Sequence, residues 1–421
     1  MEFAAGARLE VRINASDVGK RVTVRSVAEA AAPGAVFTDT VGILTSWDDG
    51  VLLVTRRDGT RVRLAEDAVV AAKTVPAAPA RRRGPAADFA ELAGVQERGW
   101  QAVERESLGG WLLRASLVDG ARGGGGTQGV DGARGGGGAA AGFTRRANSV
   151  LPLGDPGMPL AQALDQVREW YGARGLPAYA QLATGAGDTQ EVLAAQLEEH
   201  GWRREVSALV MVGALAPLAE LGPEPTGSLA VAAPVAEGPE AVDAGVRLGR
   251  TPDEAWLRRY NRAAGARPGG VPPGVLAVLA SGPSPWFARI DGTGGDARGG
   301  DAAGGDAGGG DAGGGGDSGR RDFVHTDKGE SGNAGVPDAI GRCVVDGRWA
   351  GFAAVEVAPE RRRRGLAQRV MGALARTALA EGASAAWLQV ERDNEAAVAL
   401  YTRLGFTVHH HYHHYRAPEA A

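Results

Sequence analysis

The chain has 421 residues, of which 44% are hydrophobic and 23% are charged, and this length is sufficient for two or three separate hydrophobic cores. The formal net charge of −4 gives no electrostatic reason to expect a nucleic-acid or membrane partner. A single cysteine, Cys343, excludes an internal disulfide. Because the sequence shows neither a secretion signal nor an apolar stretch of about 18 residues, we expect a cytoplasmic protein.

Residues 1–75 consist of short runs in which apolar and polar positions alternate, for example at 51–55 and 61–64. Asp58-Gly59 lies between these two runs, where a tight turn needs residues that tolerate positive φ. The pattern predicts a small N-terminal β-barrel of the SH3-like kind. We interpret its basic residues as the solvated face of a hairpin, with an adaptor surface as the alternative; they are Arg56, Arg57, Arg61 and Arg63.

A linker rich in Pro, Ala and Arg at 76–87 precedes a second unit at 88–215. This unit begins with a predicted helix near 89–106, followed by two strands, one at 110–114 and one around 143–150. Between the strands, VDGARGGGG occurs twice within a Gly-rich insert at 118–140, which has no side chains to form a core. We therefore predict that the insert is a solvent-exposed loop. The unit continues with a helix, a strand, a second helix and a final strand, at 159–172, 178–182, 192–200 and 207–212.

A third unit is predicted at 226–416 and is interrupted by a disordered Gly/Asp-rich insert at 292–336. Loop-closure entropy grows slowly with length, so an insert of this size is compatible with a folded domain. A strand at 286–290 precedes the insert. Two strands at 339–346 and 349–357 follow it and form a predicted hairpin.

The second strand of this hairpin leads directly into a basic glycine loop, and apolar residues at helical spacing then predict a helix from Leu366. Free amides at a helix N-terminus, the helix dipole and a glycine together suit an anionic diphosphate. Within the loop, Arg362, Gly365 and Ala367 match the pattern (Q/R)xxGx(G/A). A strand at 386–390 follows the helix, and the next residues read NxxAxxLYxxLGF from Asn394 to Phe406.

These two patterns in this order resemble the GNAT superfamily of acetyl-CoA-dependent N-acetyltransferases, and residues 353–406 are similar to the bacterial ribosomal-protein alanine acetyltransferases. The resemblance implies an α+β fold with a mixed, bent sheet, in which acetyl-CoA lies where the strands ending near Val357 and Val390 separate. The whole layout also resembles actinobacterial two-lobed GNAT proteins with an N-terminal SH3-like domain. The cofactor-binding residues implied by the resemblance are Val355, Glu356, Val357, Arg362, Arg363, Arg364, Gly365, Leu366, Ala367, Asn394 and Tyr401.

In this superfamily the acceptor amine attacks the thioester directly. The resemblance implies that Tyr401 is the acid for the leaving thiolate, with packing of the helix as the alternative role. Asn394 binds the cofactor or caps its helix. Related enzymes carry a glutamate in place of Gln389, and because an amide cannot accept a proton at neutral pH, we select Glu356 as the candidate base, with Glu391 as the alternative.

By the same resemblance, the second unit is a degenerate GNAT-like lobe. Leu197 precedes Gly201 by four residues, as Tyr401 precedes Gly405, and no basic glycine loop precedes the helix at 159–172. We infer that this lobe does not bind acetyl-CoA productively and instead shapes the acceptor cleft.

The histidine-rich C-terminal run could place His409, His411 and His413 on one strand face, as in a zinc site, but packing in the last strand of the fold is favoured and no metal is predicted. The favoured function is transfer of an acetyl group to a primary amine of a small molecule or protein. A non-catalytic acetyl-CoA-binding regulator is the alternative. Two lobes in one chain can replace a dimer, so a monomer is compatible with the sequence.

Overall fold

The structure is a computed structural model that describes residues 10–27, 37–76, 84–118, 142–222, 241–243, 245–260, 271–292 and 335–419. Most of the predicted linker and almost all of both predicted inserts lie outside the described residues. None of the described helices is long and apolar enough to cross a membrane.

The N-terminal part forms a six-stranded sheet in the order β1-β6-β2-β3-β4-β5. Its strands are β1 (Val11–Arg12), β2 (Arg21–Val27), β3 (Phe37–Asp48), β4 (Val51–Thr55), β5 (Arg61–Ala65) and β6 (Val69–Thr74). Val22, Val24, Leu44, Leu52 and Val54 are fully buried in its core. The two edge strands β1 and β5 are not paired with each other, so the predicted closed barrel is not found, and the SH3-like interpretation stays a prediction.

The second predicted unit contains α1 (Phe89–Gly99), β7 (Glu104–Leu108), β8 (Trp111–Ala115), β9 (Leu151–Pro152), α2 (Leu160–Gly172), β10 (Tyr179–Thr184), α3 (Glu191–Glu199) and β11 (Arg203–Ala214), and the short helix α4 (Ala216–Ala219) directly follows it. The predicted strand around 143–150 is wrong, because Arg145–Ala147 form a 3-10 turn. The Asn148 amide donates to the carbonyls of Phe143 and Thr144 and accepts from the Ser116 amide. These bonds hold the chain in a compact turn until the strand begins at Leu151.

The third predicted unit contains β12 (Ala241–Asp243), β13 (Val246–Gly249), α5 (Glu254–Arg259), α6 (Pro273–Leu279), β14 (Ser284–Ile290), β15 (Ala339–Asp346), β16 (Trp349–Val357), α7 (Leu366–Ala380), β17 (Ala385–Glu391), α8 (Glu395–Arg403) and β18 (Thr407–Arg416). The strands and helices predicted around the basic glycine loop are present.

The second and third units share one nine-stranded sheet in the order β10-β18-β11-β17-β16-β15-β14-β13-β12. Strand β11 of the second unit pairs antiparallel with both β17 and β18 of the third. Strand β18 in turn lies between β10 and β11 of the second unit. The last strand of each unit is therefore exchanged into the other, and the boundaries of the two units as separate domains stay a prediction.

Helices cover this sheet on two sides, which we name by their helices. On the α7 face, Leu388 of β17 packs with Val370 and Leu374 of α7 in the largest hydrophobic core. On the α1 face, Trp387 of the same strand packs with Leu92 and Val95 of α1. Consecutive residues of β17 thus contribute to different cores, as the alternation of side chains in a strand requires.

The N-terminal sheet contacts the shared sheet through its β4–β5 turn. Arg57 Nη2 donates to the carbonyls of Val408 and His409, both at 2.9 Å. The Thr184 hydroxyl donates to the Arg57 carbonyl, and Arg61 pairs with Glu198 at 2.6 Å. Of the N-terminal basic residues predicted to form a solvated face, Arg57 is exposed but also binds the shared sheet, and Arg61 is partly buried in its contact with Glu198.

Candidate active site

Strands β16 and β17 are parallel neighbours that separate halfway along their length. Their pairing runs only from Trp349 opposite Ala385 to Phe352 opposite Leu388. Just beyond this point, β16 gains one residue relative to β15, and Ala354 has a φ of +52°. This bulge redirects the backbone of β16 where it leaves its partner. Amides on the β17 side of residues 353–357 therefore lie at an open edge.

The gap leads into a large cleft of about 1840 Å³. The structure brings ten of the eleven predicted cofactor-binding residues to its lining; they are Val355, Glu356, Val357, Arg362, Arg363, Gly365, Leu366, Ala367, Asn394 and Tyr401. Arg364 does not line the cleft, whereas the alternative base Glu391 does. Residues of the second unit complete the wall, among them Arg145 and Glu205.

The N-terminus of α7 opens onto this cleft without a side-chain cap. Gly365 is its N-cap residue, with a φ of +76° that disfavours residues with a Cβ. In the part of the chain that the structure describes, no side-chain cap bond is made to the first turn of α7, whose leading amides have no partner within the helix. These amides, the positive end of the helix dipole and two arginines, Arg362 and Arg363, form a site with the chemistry of an anion receptor.

Tyr401 on α8 lies on the cleft wall and also packs against the core of the α7 face. Its ring meets Phe406 edge to face, with 6.0 Å between centroids. Burial raises the pKa of Tyr401 to about 12, so the phenol keeps its proton at neutral pH. The two roles considered for this residue are therefore compatible, since one side of the ring packs while the residue lines the cleft.

Glu356 and Asn394 occupy different positions in the cleft. Val355 and Val357 both pack in the core of the α7 face, so strand alternation directs Glu356 between them to the α1 face. Asn394 is the N-cap of α8, and its side chain accepts a hydrogen bond from the Ala397 amide at 3.2 Å. Its capping role is thus observed, at the rim of the cleft.

Gln389 is the first residue of β17 beyond its last pair with β16. Its Oε1 accepts from Arg146 Nη1 at 2.5 Å, and its Nε2 donates to Gln96 Oε1 at 2.6 Å. Sequence reasoning missed both partners, because they belong to the second unit and lie 243 and 293 positions away along the chain. No local pattern marks them.

The second unit has an equivalent strand separation that is bridged. Val150, directly before β9, forms a single parallel bridge to Ala180 of β10, while β9 itself belongs to a separate three-stranded sheet with β7 and β8. Beyond it, Gln190 accepts from the Ala183 amide at 2.8 Å and donates to the Pro152 carbonyl. One side chain therefore joins the two strands at the position where the third unit is open.

The C-terminal histidines lie on β18, where His413 contacts side chains of the neighbouring strands β10 and β11. His413 is fully buried, with Nδ1 at 2.8 Å from the Ser207 hydroxyl and Nε2 at 3.0 Å from the Thr184 hydroxyl. Burial lowers the pKa of His413 to about 3 and that of His411 to about 4. Among the described residues, no group of three or more His, Cys, Asp or Glu side chains could hold a metal ion. Cys343 is a buried core residue whose thiol pKa is raised to about 12 by burial.

Solved structures of acetyltransferases show low similarity to the chain. A GCN5-related N-acetyltransferase from Kribbella flavida is 16% identical over 79% of this chain and 96% of its own, with a TM-score of 0.42. A tandem GNAT protein from the clavulanic acid biosynthesis pathway is 13% identical over 65% of this chain and 76% of its own, with a TM-score of 0.38. With scores this low, these similarities carry no argument about function. A comparison with curated protein sequences gives no match.

The C-terminal region matches a family model. Residues 323–415 match the family described as "Probable histone acetyltransferase Rv0428c C-terminal". The described part of this match contains the separated strands, the basic glycine loop and the tyrosine-bearing helix. The C-terminal region of the chain is therefore similar to an acetyltransferase family, which supports its resemblance to the GNAT superfamily.

Proposed function

We propose that the chain is an acetyl-CoA-dependent N-acetyltransferase that transfers the acetyl group directly to a primary amine. The observation that carries this proposal is the combination of an uncapped α7 N-terminus with the gap between β16 and β17, both in one cleft. The first suits a diphosphate and the second suits an extended arm that ends in a thioester.

The donor set fits acetyl-CoA, which when bound supplies an activated acetyl group on a leaving thiolate. The α7 amides with Arg362 and Arg363 would hold the diphosphate. Open-edge amides near Val355 to Val357 would donate to the carbonyl oxygen as it gains charge. Such donors act strongly in a site from which water is excluded.

Proton transfer requires one acceptor and one donor. Glu356 faces the α1 side of the sheet, opposite the helices of the cofactor cleft, and would accept the amine proton directly or through a water. Tyr401 keeps its proton at neutral pH and would donate it to the thiolate as the carbon–sulfur bond breaks.

The bridged gap of the second unit supports the inference that this lobe shapes the acceptor cleft and binds no acetyl-CoA. A cytoplasmic location and an SH3-like role for the N-terminal sheet belong to the same proposal.

The proposal is tested by amine-dependent release of free thiol from acetyl-CoA, with Arg362→Ala and Arg364→Ala as a matched pair. Arg362 lines the cleft and Arg364 does not, so Arg362→Ala should raise the KM for acetyl-CoA by roughly tenfold or more, the value of one charge-assisted hydrogen bond. Arg364→Ala should change it little. Binding of acetyl-CoA without thiol release from any amine would favour the regulatory alternative. Absence of binding would contradict both functions.

A further inference from the structure

A small cavity of about 20 Å³ lies between α1 and the shared sheet, on the α1 face. Both units contribute to its lining, with Arg114, Arg146, Gln181 and Gln389 among the polar residues. A volume of this size holds about one or two water molecules, which is also roughly the space that a carboxylate group fills. The lining is rich in hydrogen-bond donors, so the cavity is suited to a small polar group.

Arg114 is the most deeply buried charge at this cavity, with 3% of its surface exposed. Its Nε donates to the Ser149 carbonyl at 3.0 Å, and its Nη2 donates to the Ser149 hydroxyl at 2.9 Å and to Gln181 Oε1 at 3.0 Å. All three acceptors are neutral. Burial lowers the pKa of Arg114 to about 10. Within the described part of the chain, Arg114 forms no ion pair and its Nη1 has no hydrogen-bond partner, although a buried cation without an anion is costly.

The surroundings neutralise this charge only in part, since burial lowers the pKa of Arg114 more than the nearby Glu97 carboxylate raises it. One carboxylate, Glu97, lines the cavity, and it is bound at 3.1 Å by Arg105. A second buried guanidinium on the same face, Arg342, is 1% exposed and donates to three backbone carbonyls, those of Gly99, Leu279 and Ser281. The cavity therefore lies in a region of positive potential that favours an anion.

The cavity adjoins the reaction site of the proposed function. Gln389 lines it and is also the first residue of β17 beyond the last pair with β16. Arg145 lines the cofactor cleft, and its neighbour Arg146 lines the cavity. Because the helices that form the cofactor cleft lie on the α7 face, an acceptor reaches the gap from the α1 face. An anionic group in the cavity would then lie on the same side of the sheet as the reacting amine.

We propose that the acceptor is a small amine that carries a carboxylate close to its amino group, as a free α-amino acid does, and that Arg114 binds this carboxylate. The inference rests on the proposed function and specifies its substrate class. Glu356 would face the amino group of the acceptor, and Arg114 would face its carboxylate. Each end of the acceptor would therefore lie next to a side chain of the opposite charge. A lysine side chain of a protein has no carboxylate near its amine and would leave Arg114 without an anion.

The test compares acceptors in matched pairs, free α-amino acids and the corresponding amino-acid amides, which keep the amine and lose the charge. The kcat/KM for thiol release should be at least about tenfold higher for one or more acids than for the matching amides, because an amide cannot form the charge-assisted hydrogen bond with Arg114. Equal rates for acids and amides would overturn the inference and leave the proposed function standing. Absence of release with every amine would contradict the proposed function itself.

Two variants assign the preference to Arg114. Arg114→Gln should remove the preference for the acid while acetyl-CoA binding is retained. Gln181→Glu replaces one of the two acceptors of Arg114 Nη2 with a carboxylate supplied by the protein itself. We expect this variant to stay folded, to raise the KM for acid acceptors by about tenfold and to change the KM for amide acceptors much less. Retention of the acid preference in Gln181→Glu would overturn the role of Arg114, even where Arg114→Gln fails to fold.

Discussion

The two gaps between parallel strands, one in each predicted unit, show how the same order of elements leads to different sites. Strands β16 and β17 separate after Phe352. The opening faces the N-terminus of α7, where the N-cap residue Gly365 makes no side-chain hydrogen bond. Between β9 and β10, the Gln190 side chain bonds to both strands. The helix that follows β9 starts after Pro159, with no arginines in the loop before it. Whether a gap can bind a ligand therefore depends on which backbone groups are left without partners.

We expect the largest effect from a substitution that blocks the proposed diphosphate site at the N-terminus of α7. Gly365→Glu places a carboxylate where the diphosphate is proposed to lie, at a φ of +76° that a side chain disfavours. We expect acetyl-CoA binding to fall below detection by calorimetry. Gly382→Glu is the matched control, because Gly382 also has positive φ, at +90°, and lies at the far end of α7 with nothing within 4 Å of its Cβ position. If both variants bind equally well, the anion site is wrongly placed.

Removal of one hydroxyl tests the chemistry that distinguishes the two halves. Tyr401→Phe keeps the ring packed on Phe406 and removes the proposed proton donor, whereas the equivalent position in the second unit is already Leu197. We expect kcat to fall by roughly a hundredfold with little change in the Kd of acetyl-CoA. If the variant keeps the kcat of the unaltered protein, Tyr401 is not the proton donor and its role is packing.

A third prediction concerns the exchanged strand β18, where the two halves meet. Because burial lowers the pKa of His413 to about 3, the folded state favours the neutral ring. This stabilisation is present above the ordinary pKa near 6.5 and is lost as the pH falls towards 3. Between pH 7 and pH 5 the free energy of unfolding of the unaltered protein should drop by about 2 kcal/mol more than that of His413→Asn. The exposed His200→Asn serves as control, and equal pH dependence of all three proteins would contradict the assignment.

The smallest effect is expected from opening the closed gap. In Gln190→Glu the side chain no longer donates to the Pro152 carbonyl, so the free energy of unfolding should fall by about 1 to 2 kcal/mol. Gln196→Glu, on the exposed side of the same helix, should change stability by less than about 0.5 kcal/mol. Chemical denaturation measures both. Acetyl-CoA binding by the second unit of Gln190→Glu would show that this one side chain is what closes the site.

Local patterns in the sequence predict the open site well. The glycine loop and the helix from Leu366 follow from residue types at fixed spacing, because Gly365 tolerates positive φ and apolar residues recur at helical intervals. Tyr401 and Asn394 were identified through the resemblance and lie in the same cleft. These features depend on residues that are near one another in the chain, which is why the sequence reveals them.

Features that depend on distant pairs are not predictable in this way. The exchange of β11 and β18 joins strands about 200 positions apart, and a strand pattern does not specify its neighbour. The contacts of Gln389 with Arg146 and of Arg57 with β18 arise only once those strands are placed. The same is true of Arg114, whose burial beside neutral acceptors could not be expected from an arginine in a short strand.

The most direct test of the account is the stoichiometry of acetyl-CoA binding to the full chain, measured by titration calorimetry. We predict one molecule bound per chain in the unaltered protein and none in Gly365→Glu, because among the described residues the gap between β16 and β17 is open and faces the N-terminus of α7, whereas the gap between β9 and β10 is bridged by Gln190. Two molecules bound per chain, or one molecule still bound by Gly365→Glu, would contradict it.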